Sequence, residues 1–84
     1  MNSTDKLYEV RMKDKNILGC YFVIYIGYDL EEARSRMEKD VLKIVENWED
    51  KAFALTYQIK EDKASLLIKA DDFSTSIKYT IEEM

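Results

Sequence analysis

The chain has 84 residues, 46% apolar and 36% charged, with a net charge of −4, one cysteine, and neither histidine nor proline. That length suits one domain with little core to spare, so residues 1–84 read as a single unit with 1–5 as a flexible start. The composition is too apolar for a disordered chain and too charged for a membrane protein, and its acidic balance weighs against direct binding to nucleic acid or an anionic membrane.

Leu7 to Lys13 alternates, with Tyr8, Val10 and Met12 on one side, and predicts a half-buried strand. Asp14-Lys15-Asn16 supplies a turn. Ile17 to Tyr28 follows as a β-branched and aromatic strand, apolar on both faces, which places it inside the sheet. Asp29 caps the next element, with Glu32 at the capping-box position. Leu30, Ala33, Met37, Val41, Ile44 and Trp48 then recur at spacings of three and four, predicting an amphipathic helix over 30–49 with Trp48 as its last core anchor. Phe53 to Lys60, Ser65 to Lys69 and Phe73 to Glu82 alternate as three more strands, separated by the turns Glu61-Asp62-Lys63 and Asp71-Asp72. The expected class is α+β in the order β-β-α-β-β-β, one amphipathic helix packed on one face of a five-stranded, mostly antiparallel sheet.

Chemistry-bearing motifs are scarce. Without histidine there is no base for a nucleophilic triad and no zinc site of the Cys/His type. Cys20 sits in an apolar run and is expected to be a small buried hydrophobe. Gly19 and Gly27 both fall in the second strand's pattern rather than in a phosphate-cradling loop. The carboxylates show no calcium-loop spacing. Tyr25-Ile26-Gly27-Tyr28, followed by Asp29 to Arg34, resembles the Tyr-Ile-Gly strand and arginine helix of GIY-YIG nucleases over about ten residues. The partner Gly-Ile-Tyr strand and a later helix with a metal-binding glutamate are missing, so no catalytic roles are carried over. No enzymatic activity, cofactor or metal is expected.

Two surfaces remain. The sheet face away from the helix is expected to hold Tyr21, Val23, Tyr25, Ala54, Thr56 and Leu67, rimmed by Arg11, Lys69 and Lys78. Glu46, Glu49 and Asp50 cluster at the helix C-terminus, where the macrodipole disfavours negative charge. Tyr21, Val23, Tyr25, Leu67, Glu46, Glu49 and Asp50 are therefore the candidate partner-binding residues of a non-enzymatic protein-interaction module. Its partner would be another protein or a second copy in a homodimer. A narrower expectation, by analogy alone, is an inhibitor of a host defence nuclease, of the anti-CRISPR or anti-restriction type carried by phages and mobile elements. In that case the partner is a nucleic-acid-processing host protein. The alternative is a single-stranded nucleic-acid-binding or assembly domain that stacks bases on the aromatic sheet face. The start of the chain, Met1 to Lys6, lacks the pattern of a secretory signal, and a lone cysteine forms no internal disulfide, so a cytoplasmic location is expected.

Overall fold

The computed structural model describes residues 6–17 and 19–84. Residues 1–5, expected to be flexible, and Leu18, expected to face the helix, lie outside the described residues. The elements are β1 (Tyr8–Asp14), β2 (Phe22–Gly27), α1 (Leu30–Trp48), β3 (Ala54–Ile59), β4 (Lys63–Ala70) and β5 (Phe73–Glu83). All five strands form one sheet in the order β2-β1-β5-β4-β3, and every neighbouring pair is antiparallel.

The long β5 organises this order. Short turns make β3, β4 and β5 a meander, and β5 then pairs along the whole of β1, from Tyr8↔Glu83 to Asp14↔Ile77. β2 can therefore reach only the other side of β1, so β2 and β3 end at opposite edges and form no pair with each other.

α1 lies across one face. The Asp29 carboxylate accepts from the Glu31 and Glu32 amides at 3.0 and 3.3 Å, satisfying two donors that the first helical turn leaves free. Ala33, Met37 and Val41 are buried against Val10, Ala64, Leu66, Ile68, Ile77 and Tyr79. The Tyr79 hydroxyl donates to Asp40 Oδ2 at 2.6 Å. Burial, reinforced by that bond, pushes the phenol far above its ordinary pKa. Trp48 ends the stripe at the rim rather than the centre of the core: it is half-buried and stacks on Phe73, with ring centroids 5.0 Å apart and planes 11° from parallel.

The second strand departs from expectation in three ways. It begins at Phe22 rather than Ile17, because the chain first closes a turn in which the Ile17 amide donates to the Asp14 carbonyl and the Asn16 amide to Asp14 Oδ1. Gly19 then takes a φ of 79°, a left-handed conformation that glycine adopts at little cost. Cys20 accordingly lies exposed in this connection and not in the core. Second, β2 is an edge strand, not an interior one. Third, its register shifts between Val10↔Tyr25 and Arg11↔Val23, leaving Ile24 as an extra residue. Beyond that bulge the faces exchange. Tyr25 turns to the helix side with Val10, and Ile26 turns to the open side with Glu9.

Candidate interaction surfaces

The free edge of β2 is the most unusual surface of the molecule. Residues 17–28 contain no charged side chain and no proline, the two devices that usually blunt an edge strand. Phe22, Val23 and Ile26 are 43%, 47% and 54% exposed, and Tyr21 and Tyr28 flank them, also exposed. Apolarity on both faces is the sequence pattern of an interior strand. At an edge, the same pattern leaves backbone donors and acceptors beside unprotected apolar side chains.

Of the residues expected on the open face, Val23 pairs there with Arg11, and Leu67 lies between Thr56 and Ser76. Tyr21 joins this side beneath Arg11, whose guanidinium carbon sits 4.7 Å from the ring centroid. Arg11 also hydrogen-bonds the Glu9 carboxylate, which raises the pKa of the guanidinium. Tyr25 does not belong to this set. Its ring lies on the helix side, where a Cβ on Gly27 would run into it and where Arg36 approaches to 5.8 Å. The bulge at Ile24 is the cause, and no local sequence rule announces it. The expected aromatic centre is thus divided: Tyr21 and Val23 stand at the β2 end, and Leu67 is three strands, about 14 Å, away.

Glu46, Glu49 and Asp50 are all exposed, on the helix layer opposite the open face. No basic residue occupies the last turn of α1, and the Lys51 ammonium sits 5.9 Å over the Trp48 ring. At the other end of α1, Arg34 gathers acids that the strand directions place together: it bonds Glu31 Oε1 at 2.9 Å and the Glu61 carbonyl at 3.2 Å. Among the described residues, no group of three or more His, Cys, Asp or Glu side chains is placed to hold a metal ion. Also among the described residues, no helix is long and apolar enough to cross a membrane.

To the rim of Arg11, Lys69 and Lys78 expected from the sequence, the open face adds Lys13 and Lys63. Lys13, Lys63, Lys69 and Lys78 occupy alternate strand positions, each opposite in facing to a helix-side neighbour such as Ala64, Ile68 or Tyr79. The alternation was visible; only the pairing register shows that these lysines share one surface. No protein-family model, curated protein or solved structure matches this chain.

Proposed function

We propose that the protein is a non-enzymatic interaction module whose binding element is the β2 edge, and that a partner's strand adds to it. The carrying observation is the uncharged edge strand with Phe22, Val23 and Ile26 exposed. Strand addition satisfies the free backbone groups and covers apolar surface in one step. A second copy is a suitable occupant. Identical strands meeting antiparallel about a twofold axis place each residue opposite another from the same uncharged segment, so no register opposes like charges within it. The other edge, β3, is also uncharged over Ala54–Ile59 and exposes Tyr57 beside Phe53, but its open side alternates with the polar Thr56 and Gln58, whereas that of β2 presents Val23 and Ile26.

The test is sedimentation velocity on the wild type and on the Val23→Lys/Ile26→Lys variant. Both side chains point away from the core, so the variant should keep its circular dichroism and lose association. Equal association by the two proteins would refute the proposal.

The narrower proposal of a nuclease inhibitor draws on Glu46, Glu49 and Asp50, all exposed at the end of α1. Stoichiometric loss of a purified nuclease's activity would support it, and undiminished activity at excess protein would end it.

A further inference from the structure

The chain carries 17 acidic against 13 basic side chains, interleaved and partly ion-paired along α1 but segregated on the open sheet face. Among the described residues, the open sheet face holds Arg11, Lys13, Lys15, Lys63, Lys69 and Lys78, against the carboxylates of Glu9 and Glu82 alone. Glu9 is already taken by Arg11. Among the described residues, none of the five lysines forms an ion pair, and all are exposed. The remaining described acids lie on α1, in the turns and connections, or on the helix side of strand ends, as Asp14 and Glu83 do.

Lys78 is the hub. It faces Lys13 directly across the β1–β5 ladder and Ser65 across β5–β4. Three shallow depressions on this face meet at it: one with Lys13, Lys15 and Ser76, one with Lys60, Lys63 and Thr80, and one with Thr56, Ser65 and Leu67. Like charges directly opposite on neighbouring strands destabilise a sheet, and among the described residues no carboxylate forms an ion pair with Lys13 or Lys78. A face kept only for solubility interleaves the two signs. This one excludes carboxylates from its central rows.

We infer that this face binds the phosphate backbone of a nucleic acid, without reading its sequence. The side chains present are those that meet phosphate oxygens: lysine ammonium groups and the hydroxyls of Ser65, Ser74, Ser76 and Thr80. Lysine and serine are depleted at the cores of protein interfaces, whereas nucleic-acid interfaces are polar and strongly basic. Along β5, Ser74, Ser76, Lys78 and Thr80 repeat every second residue. That interval is about 6.8 Å, so the hydroxyls and the ammonium form one continuous polar row along the strand. Among the described residues the lysine rows carry no aromatic ring for base stacking: Tyr25 faces the helix, and Tyr21 lies at the β2 end with Arg11 over one face of its ring. The inference stands apart from strand addition at β2, because the two surfaces have different residues.

Fluorescence anisotropy of a labelled oligothymidylate of about 20 nucleotides tests it on the full chain at low ionic strength. Binding should weaken with salt, with a slope of about −0.7 per phosphate neutralised. Lys78→Ala should reduce affinity about fivefold or more and lower that slope by about one phosphate. Lys43→Ala, on the helix layer, should bind as the wild type does. The Lys13→Ala/Lys78→Ala variant should bind more weakly still, while its melting temperature holds or rises, because the facing charges are gone. Four results would overturn the inference: no binding by the wild type, an unchanged Lys78→Ala affinity, equally tight binding of polyglutamate of the same charge, or binding to phosphatidylserine vesicles without binding to the oligonucleotide.

Discussion

Tyr79→Phe removes one oxygen from the centre of the fold. Tyr79 is 1% exposed, and its hydroxyl donates to Asp40 Oδ2 at 2.6 Å. A hydrogen bond to a charged acceptor contributes about 1.5–3 kcal/mol net. Asp40 is half-buried on α1, so water can replace part of the lost bond, and the lower end, about 1.5 kcal/mol, applies. For a domain of this size that lowers the melting temperature by about 6–12 °C. Urea denaturation of Tyr79→Phe, Asp40→Asn and the double variant gives the coupling between the two groups. The pH dependence is a second readout. The phenol is held above its ordinary value, so the folded state favours the neutral form. This stability is complete below pH ~10, the unfolded tyrosine value, and is lost as pH rises beyond it toward the folded value. Tyr79→Phe should lack that loss. A Tyr79→Phe stability within about 0.5 kcal/mol of wild type, or identical losses for both proteins above pH ~10, would refute the role given to this pair.

Asp29→Ala should cost about 1 kcal/mol in chemical denaturation, through loss of the two amide bonds at the start of α1. Trp48→Ala should cost about 2–3 kcal/mol, below the ~3–5 of a fully buried aromatic, because the ring is half-buried against Phe73; an unchanged melting temperature would contradict its packing role. Millimolar EDTA, Mg²⁺ or Ca²⁺ should leave the melting temperature unchanged, whereas a metal present at about 100 times its dissociation constant would add about 2.7 kcal/mol.

The helix was legible to within a residue because Asp29 caps it and the Ala33–Met37–Val41 stripe repeats without interruption. The meander was legible for the same reason: period-two alternation and short acidic turns are local signals. What escaped were facts about neighbours. Two-faced apolarity in β2 is compatible with an interior strand or with an edge that takes a partner, and only the pairing of β5 with β1 decides between them. The facing of Tyr25 depends on a single extra residue, Ile24, and a one-residue slip moves a side chain to the other face. Net charge is uninformative about individual surfaces for a related reason. A sum over the chain hides the separation of lysines on the open face from carboxylates on the helix and turns.

The central claim is tested most directly by amide hydrogen exchange, followed at increasing protein concentration. If a strand adds to the β2 edge, exchange in Phe22–Gly27 slows as concentration rises, while Ala54–Ile59 at the opposite edge exchanges at a constant rate, and Val23→Lys/Ile26→Lys abolishes the slowing. Exchange in Phe22–Gly27 that is independent of concentration between about 1 µM and 1 mM, or slowing confined to Ala54–Ile59, would contradict it.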